Sequence, residues 1–229
     1  MTLKTYSLHN LEVILQISYG ITVCNEDVEI QRLVTFLLEN KRDEDEIVIT
    51  YDSNNGSKGV EDYLRTHSIN GEFSWHPFGF NGNFSDLKNH TIKMCSGDFI
   101  FHLDSDEIPN EILIQQLPQI LEINDVDLIW IPRVNTVEGM EEEHIQKWGW
   151  RVSEKGWVNY PDYQARVFRN REDIRWTRPL HELITGCKTY AHLPPHEELS
   201  LYHPKTIQKQ EQQNMFYNEN FSREMNVRN

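Results

Sequence analysis

The sequence has few basic side chains, few cysteines and no long apolar run, and each of these shortages excludes a class of protein. Its 229 residues include 22 Lys and Arg against 36 Asp and Glu, which gives a formal net charge of −14 at pH 7. Because binding to nucleic acid requires a basic surface, we expect no nucleic acid partner. No apolar stretch approaches the roughly 20 residues that cross a bilayer, so we also expect no integral membrane segment.

The cysteines argue against a secreted, disulfide-stabilised protein. Cys24, Cys95 and Cys187 are odd in number and widely spaced, which does not fit a disulfide framework. The segment from Met1 to Asn10 lacks the basic region followed by an apolar region that marks a secretory signal. We therefore expect a cytoplasmic protein. Its 38% hydrophobic and 25% charged residues are typical of an ordinary globular chain.

Strand-like and helix-like segments alternate in the N-terminal half. Apolar runs predict strands at residues 17–23, 46–51, 73–76 and 98–103, and spacings of three and four predict helices at 27–39, 60–67 and 87–95. This alternation predicts an α/β fold with a parallel sheet flanked by helices.

The C-terminal half follows a different pattern. It predicts a helix at 111–123 that is interrupted or kinked near Pro118, strands at 127–132 and 163–169, and one frayed helix within 206–229. The acidic segment 138–143 reads as a loop or a helix start. No internal repeat or long linker is present, so we expect a single domain over residues 1–229.

Acidic and polar residues follow three of the predicted strands. They are Asn25-Glu26, Asp52-Ser53 and Asp104-Ser105-Asp106. In open α/β sheets the ligand lies beyond the carboxyl ends of the strands, so these side chains are expected to share one site. Two carboxylates one residue apart suit a hard cation such as Mg²⁺ or Mn²⁺ that also holds substrate phosphates, which points to a nucleoside diphosphate.

An Asp-x-Asp triplet alone is weak evidence, because a solvated turn in an acidic chain produces the same pattern. The context of Asp104 and Asp106 is more specific, since the triplet directly follows the strongest strand pattern in the chain, Gly97-Asp-Phe-Ile-Phe-His-Leu103.

Ordered motifs extend this context along the chain. They are Ile21-Thr-Val-Cys-Asn-Glu26, Asp45-Glu-Ile-Val-Ile-Thr-Tyr-Asp52-Ser53, Asn89 to Cys95, Gly97 to Glu107, Gly156-Trp157, Tyr160-Pro-Asp-Tyr-Gln-Ala-Arg-Val-Phe-Arg169, Arg175-Trp176 and Leu180-His-Glu182. Over about residues 17–217 the sequence resembles the inverting glycosyltransferases of family two, in the branch of bacterial lipopolysaccharide core sugar transferases.

The resemblance implies a GT-A fold, the nucleotide-diphospho-sugar transferase fold with a mostly parallel, Rossmann-like central sheet. It implies a nucleotide-sugar half at about 17–107, an acceptor half at about 108–205 and a C-terminal helix or tail at 206–229. Two motifs differ from the family. Thr22 and Cys24 replace the usual proline and tyrosine before Asn-Glu, and the turn Asp52-Ser-Asn-Asn-Gly-Ser57 lacks the usual later Asp.

The resemblance also implies the residues that bind the donor and the metal. Those expected to contact the nucleotide sugar are Val23, Asn25, Glu26, Asp52, Asn89, Asp104, Ser105 and Arg166. Asp106 would bind Mn²⁺ or Mg²⁺ directly, and Asp104 would contact the ribose or reach the metal through water. His203 would complete the metal site, or else be a structural histidine. For Asp52, the alternative to base recognition is an ordinary turn residue.

An inverting transfer requires a general base that deprotonates the acceptor hydroxyl as it attacks. Glu182 is the first candidate and Asp162 the second, with a turn after Pro161 as the alternative role of Asp162. The leaving diphosphate needs no proton if a metal stabilises its charge.

Two further features bear on the substrates. Arg166 and Arg169 are three residues apart on a predicted strand, so they point to opposite faces, and Arg166 matches the family position. Trp148, Trp150 and Trp157 could stack on acceptor sugars, although core packing is the commoner role of tryptophan.

The sequence thus predicts a metal-dependent inverting glycosyltransferase that acts in glycan or polysaccharide synthesis. Its expected partners are a UDP-sugar donor and a glycan, lipid-linked or small-molecule hydroxyl acceptor. Two alternatives stay open. One is a sugar-nucleotide pyrophosphorylase, against which the acidic turn at 24–27 counts, and the other is a non-catalytic sugar- or nucleotide-binding module that kept the fold.

Overall fold

A computed structural model describes residues 15–222. The first part of the predicted domain, 1–14, and the end of the predicted C-terminal helix, 223–229, lie outside the described residues. The strands are β1 (Ile17–Val23), β2 (Glu46–Asp52), β3 (Ser74–Phe78), β4 (Phe99–Asp104), β5 (Ile108–Pro109), β6 (Leu128–Ile131), β7 (Arg133–Glu138), β8 (Gln164–Arg169), β9 (Arg175–Thr177), β10 (Leu183–Thr185), β11 (Tyr190–His192) and β12 (Leu201–Thr206). The α-helices are α1 (Asp27–Asn40), α2 (Lys58–His67), α3 (Phe84–Met94), α4 (Glu111–Ile123), α5 (Glu142–Trp148) and α6 (Ile207–Asn220).

A seven-stranded sheet forms the centre, in the order β11-β6-β8-β4-β1-β2-β3. Strands β1 to β4 run parallel, whereas β8 is antiparallel to both of its neighbours. The predicted α/β architecture with a mostly parallel sheet is therefore confirmed. Every residue of β1 is buried, as expected for a central strand with helices on both faces of the sheet.

Helix α3 packs unusually close to β1 because of one glycine. A Cβ on Gly20 would lie 3.0 Å from Cγ2 of Thr91 and 3.4 Å from Sγ of Cys95. The missing side chain thus lets the helix approach the strand. This contact also fixes the position of Lys88, which lies about one turn before Thr91 on the same helix.

The strands that follow β1 in the sequence lie on both sides of it in the sheet, so the sheet has a topological switch point between β1 and β4. Strands β2 and β3 extend the sheet on one side of β1, and β4 then returns to the other side. Thr22 of β1 is paired with Asp104 of β4 at the carboxyl ends. Such a switch point leaves a crevice beyond the strand ends, which is where open α/β sheets bind ligands.

Two smaller sheets build the walls above this crevice. Strand β12 pairs with β5 and β7, and β9 pairs with β10. The sequence patterns did not predict these strands, since β7 and β12 have no regular apolar alternation.

The predicted loop or helix start at 138–143 spans the end of β7 and the start of α5, and α4 runs through Pro118 without interruption. Across residues 15–222, none of the helices combines the length and the apolarity needed to cross a membrane.

Candidate active site

A cavity of about 650 Å³ lies at the carboxyl ends of β1 and β4. Its walls come from α3, β7, β8, β12, the loop between β9 and β10, and α6. The structure brings together many of the side chains singled out from the sequence. Those that line the cavity are Val23, Glu26, Asp104, Ser105, Asp106, Asp162, Arg166, Glu182 and His203.

Asp104 is paired with two cations. Its carboxylate accepts a short hydrogen bond from Nη2 of Arg166, and its Oδ1 lies 3.6 Å from Nζ of Lys88. Burial alone would raise the pKa of Asp104, but Arg166 and Lys88 outweigh it and hold this pKa well below the ordinary value. Asp104 is therefore an ionised carboxylate whose charge is already compensated by the protein.

A fully buried carboxylate, Glu107, holds the guanidinium of Arg166 in its place beside Asp104. Its Oε1 accepts hydrogen bonds from Nη2 of Arg166 at 2.6 Å and from Nη1 of Arg133 at 2.8 Å. Arg169 instead contacts the exposed Asp125, so it lies on the opposite face of β8 from Arg166, as the spacing of three requires.

Asp106 faces His203 across a short gap. Oδ2 of Asp106 lies 3.5 Å from Nε2 of His203, and Nδ1 of His203 lies 2.7 Å from Oδ1 of Asn135. The amide of Asn135 is oriented by Asp162, whose Oδ2 accepts from Nδ2 of Asn135 at 2.9 Å. Since Oδ1 of Asn135 can only accept, Nδ1 of His203 carries the proton and Nε2 directs a lone pair towards Asp106.

The protonation states of this pair suit cation binding. Burial and then Arg133 lower the pKa of His203 below its ordinary value, so the imidazole is neutral at pH 7. Burial would raise the pKa of Asp106, but the adjacent His203 and the nearby lysines Lys205 and Lys209 lower this pKa further than burial raises it. A neutral imidazole next to an ionised carboxylate is a suitable pair of ligands for a divalent cation.

A cation at Asp106 and His203 would have two protein ligands. Among residues 15–222 no group of three or more His, Cys, Asp or Glu side chains is arranged to hold a metal ion, and Asp104 already binds Arg166 and Lys88. Mg²⁺ is commonly held by one or two carboxylates together with substrate phosphates and water. The Asp106–His203 pair fits that mode, in which phosphate oxygens and water would complete the coordination.

Helix α6 forms one wall of the cavity. Nζ of Lys209 lies 3.5 Å from Oδ2 of Asp106 and 3.1 Å from Oε1 of Glu29. At the other end of the helix, the ring of Tyr217 lies 6.0 Å from that of His181. The helix therefore reaches from the strand-end carboxylates to the loop between β9 and β10.

The two candidate bases have different surroundings. Oε2 of Glu182 accepts from Nζ of Lys88 at 3.1 Å. Asp162 accepts two hydrogen bonds from Arg133 at 3.0 and 2.7 Å, one from Asn135 and one from Gln164. Both oxygens of Asp162 are thus occupied by the protein, and its place is that of an organising residue between β7 and β8. By contrast, Lys88 is the one described residue that donates a hydrogen bond to the carboxylate of Glu182.

Three of the predicted donor-binding residues do not line this cavity. Asp52 is 4% exposed and accepts hydrogen bonds from the backbone N–H groups of Asn54 and Asn55, which is the turn role weighed as its alternative. Asn89 exchanges two hydrogen bonds with the backbone of Trp176 and so ties α3 to β9. Asn25 lies in the turn after β1, where Oε2 of Glu26 accepts from its backbone N–H.

Of the predicted stacking residues, Trp150 lines the cavity. The ring of Trp148 packs against that of Trp150 with centroids 4.7 Å apart, and the ring of Trp157 packs against Tyr160 at 4.8 Å. Trp130 and Trp176 also line the cavity. Neither was predicted to stack on a sugar, although Trp176 belongs to the Arg175-Trp176 motif.

Apart from Arg166, the basic residues of the site were missed at the level of sequence. They are Lys88, Arg133, Arg178, Lys205 and Lys209. Lys88 lies in a predicted helix, where a lysine most often faces solvent, so its position in the helix alone did not indicate the site. For the others, no local pattern distinguishes a lysine or arginine of the site from one on the surface.

The backbone is strained around the cavity. Among residues 15–222, the non-glycine residues with positive φ are Asn159 (56°), Arg178 (76°) and His181 (52°), and all three line the cavity. Such conformations cost free energy and persist where the surroundings enforce them, commonly at functional sites.

Known proteins resemble this chain in sequence and in fold. The sequence model of the family described as "Glycosyl transferase family 2" matches residues 18–192, which is more than half of the chain. A TPR repeat-containing protein of Synechococcus elongatus is 31% identical over 102 residues, which are 44% of this chain and 21% of that protein.

Solved structures with a similar fold include TarS of S. aureus. TarS 1–349 in complex with UDP has a TM-score of 0.59 at 14% identity, with 83% of this chain and 60% of that chain covered. The complex with UDP-GlcNAc has a TM-score of 0.57, again at 14% identity, with 83% of this chain and 59% of that chain covered. The chain therefore spans less than two thirds of these neighbours, and the likeness shows a shared GT-A fold.

Proposed function

The chain belongs to glycosyl transferase family 2, and from this premise we propose that it moves a sugar from a nucleoside diphosphate donor to a hydroxyl group with inversion. The observation that carries the proposal is the position of Glu182. Its carboxylate is held by Lys88 in the cavity that also contains Asp104 and Asp106, at the switch point of the sheet. A base and a diphosphate site in one cavity are what an inverting transfer requires.

Glu182 would deprotonate the acceptor. Lys88 holds one of its oxygens, Oε2, at 3.1 Å, and the other oxygen, Oε1, accepts no hydrogen bond from residues 15–222. Lys88 itself is 7% exposed and is held in turn by Asp104, so the base is attached to a rigid support. Oε1 is thus the atom that would take the proton of the attacking hydroxyl.

The donor diphosphate would lie next to Asp106 and His203, which would hold Mn²⁺ or Mg²⁺. The bound cation would stabilise the charge that grows on the leaving diphosphate. Arg166 and Lys88 neutralise Asp104, so this carboxylate does not repel the diphosphate. Asp104 and Ser105 are available for the ribose at the end of β4.

A UDP-sugar is the donor that we favour, since structures of the fold neighbour TarS hold UDP and UDP-GlcNAc. We propose a glycan, a lipid-linked sugar or a small molecule as the acceptor, within glycan or polysaccharide synthesis. The three cysteines are unpaired, which suits the reducing environment of the cytoplasm.

A pyrophosphorylase is less consistent with the turn after β1. Such an enzyme needs a basic, glycine-rich loop at this position. Here Oε2 of Glu26 accepts from the backbone N–H groups of Cys24 at 2.9 Å and of Asn25 at 3.1 Å. A carboxylate therefore occupies the donors that would otherwise be free to cradle a triphosphate.

A donor screen tests the proposal. The unfolding temperature of the purified chain is measured with a panel of UDP-, GDP-, CDP- and dTDP-sugars, each with Mn²⁺, with Mg²⁺ and with EDTA. In a second assay, below the unfolding temperature, release of the nucleoside diphosphate from each donor is followed over hours. We expect one donor to raise the unfolding temperature in the presence of a divalent cation, because a ligand at about 100 times its Kd adds about 2.7 kcal/mol to stability. The same donor should be hydrolysed slowly.

The design separates the proposal from its alternatives. Asp106→Asn should abolish the cation-dependent part of the shift, whereas Asp125→Asn, at a fully exposed carboxylate, should leave it unchanged. Nucleotide binding without any hydrolysis or transfer would indicate a non-catalytic module. If no donor in the panel binds with or without cation, the proposed function is wrong.

A further inference from the structure

Within residues 15–222, five basic side chains line the cavity: Lys88, Arg133, Arg166, Arg178 and Lys205. Four of them are engaged by the protein. Lys88 binds Asp104 and Glu182, Arg133 binds Glu107 and Asp162, Arg166 binds Asp104 and Glu107, and Nζ of Lys205 donates to Oε1 of Gln213 at 2.8 Å.

Arg178 is different, because no residue in 15–222 forms a hydrogen bond or an ion pair with its guanidinium. Its side chain is exposed at the cavity wall. An arginine presents five donors in a planar fork that matches the oxyanions of phosphates and carboxylates. In the described part of the chain, Arg178 is therefore the cavity's one basic side chain whose charge stays available for a ligand.

The backbone at Arg178 is held in place by its neighbours. Arg178 has φ 76°, and the carbonyl of the next residue, Pro179, accepts from the N–H of Phe84 at 3.0 Å. Leu180 is 3% exposed and anchors the middle of the loop between β9 and β10. At the loop ends, Oγ1 of Thr177 donates to the carbonyl of Leu183 at 3.1 Å. Because the loop is fixed at these three points, the backbone of Arg178 is held in one conformation before a ligand binds.

The same loop carries Glu182. The base must contact the attacking hydroxyl of the acceptor, so a free cation on its loop lies on the acceptor side. The donor diphosphate belongs at the other side, where Asp106, His203 and the ends of β1 and β4 meet. Tyr217 of α6 packs against His181 of this loop and encloses the acceptor side further.

We propose that Arg178 binds an anionic group of the acceptor, so that the enzyme selects acceptors with a phosphate or a carboxylate close to the attacking hydroxyl. The inference rests on the proposed function, since it assigns the substrate class of the same site. Arg178 is a specificity-determining residue here. It fixes where the acceptor's oxyanion lies and thereby brings the hydroxyl to Glu182.

The test compares matched acceptors on variants of Arg178. With the donor found in the screen, transfer is measured to three forms of one hexose: the neutral sugar, its phosphate ester and the corresponding uronic acid. The variants are Arg178→Gln, which removes the charge, and Arg178→Lys, which keeps the charge but loses the fork. Arg175→Gln is the matched control, because Arg175 is exposed on β9 and does not line the cavity.

We expect the wild type to prefer an anionic form. Arg178→Gln should raise KM for that form at least tenfold and erase the preference over the neutral sugar. Arg178→Lys should give a KM between those of the wild type and Arg178→Gln. Arg175→Gln should have the KM and the preference of the wild type. Whichever of the phosphate ester and the uronic acid suffers the larger loss identifies the source of the oxyanion. UDP affinity by calorimetry should be the same in all four proteins.

Three results would overturn the inference while leaving the proposed function intact. They are a wild-type preference for the neutral sugar, an equal loss for neutral and anionic acceptors in Arg178→Gln, and a loss of UDP affinity in that variant, which would make Arg178 a donor contact. If the wild type neither hydrolyses nor transfers any donor, the proposed function itself fails. These outcomes are distinct from one another.

Discussion

Glu182 and Asp162 are carboxylates of the same cavity, and they differ in how many hydrogen bonds the protein already gives them. Within residues 15–222, Asp162 accepts at least four, two of which come from Arg133. Glu182 accepts one, from Lys88. A proton acceptor in catalysis needs a free lone pair directed at substrate, and at the scale of single residues this is what distinguishes the two.

The two carboxylates should therefore respond differently to neutral replacement. Glu182→Gln should keep UDP binding and lower kcat by about 10²- to 10⁴-fold, the usual contribution of a general base. Asp162→Asn should keep most of the turnover but lower the free energy of unfolding by about 1–3 kcal/mol, because Arg133 loses a charged partner. Steady-state kinetics and urea unfolding measure the two effects. The reverse pattern would transfer the role of base to Asp162.

His203 makes stability depend on pH. Its pKa in the folded chain is lowered, first by burial and then by Arg133, whereas in the unfolded chain it is near about 6.5. The unfolded chain therefore binds more protons as the pH falls below about 6.5, and the free energy of unfolding decreases. Asp104 and Asp106, whose pKa values are also lowered in the fold, add a further loss as the pH falls below about 4.

We expect the protein to be less stable at pH 5.5 than at pH 7.5, and His203→Gln to reduce that difference. Glutamine can still donate to Oδ1 of Asn135, so the fold should tolerate it. His196→Gln serves as the control, since His196 is exposed. Urea unfolding at the two pH values measures the effect. If the loss of stability between pH 7.5 and pH 5.5 were the same in His203→Gln and His196→Gln, the assignment of the pH dependence to His203 would be wrong.

At the scale of elements, α6 is attached to the rest of the protein mainly through polar contacts. Ile207 is its buried residue, while Met215 is 60% exposed and Phe216 43% exposed. The contacts on its cavity side include Lys209 with Asp106 and Tyr217 with His181. The ammonium of Lys209 approaches Oδ2 of Asp106, the oxygen that also faces His203 and would bind a divalent cation.

Lys209 and the divalent cation should therefore compete. Lys209→Met should strengthen Mn²⁺ binding in the absence of nucleotide by up to about fivefold, since a partly exposed ion pair is worth up to about 1 kcal/mol. Electron paramagnetic resonance of free Mn²⁺ measures the affinity directly. Lys58→Met is the matched control, because Lys58 is also ion-paired but lies on α2. Unchanged or weaker binding in Lys209→Met would show that the lysine does not compete.

At the scale of the whole molecule, the sequence was most informative where burial is continuous. Strands β1, β2 and β4 are apolar over nearly their whole length because helices cover both faces, and the sequence predicts each of them to within one residue. Strands β7 and β12 escaped prediction because their polar side chains, such as Asn135 and His203, face the cavity. What a local pattern cannot show is which side of a strand will meet the site.

The same limit applies to the site. Acidic residues at strand ends were visible because their position follows from the strand itself. Their cationic partners Lys88, Arg133 and Arg166 come from three separate elements, and only the tertiary fold pairs them with Asp104 and Glu107. The sequence therefore gave the location of the chemistry but not its charge balance.

The charge balance within the cavity shows where the net negative charge of the chain lies. The chain carries −14 in total, but the acidic residues of the cavity wall, Glu26, Asp104, Asp106, Asp162 and Glu182, are matched in number by the five basic ones. The excess negative charge therefore lies outside the cavity. A doubly negative donor must approach against this field before it reaches a site that is close to neutral.

Association with UDP should therefore become faster when salt is added. At about 0.15 M ionic strength the screening length is about 8 Å, which removes repulsion from surface charges beyond the cavity rim but little of the short-range attraction inside. Trp130, Trp150 and Trp176 line the cavity, so stopped-flow quenching of tryptophan fluorescence can follow binding. We expect the association rate constant to rise between 10 and 150 mM NaCl at fixed Mn²⁺, with a smaller change in the dissociation rate constant. A steep fall in the association rate constant would mean that a local positive potential governs the encounter instead.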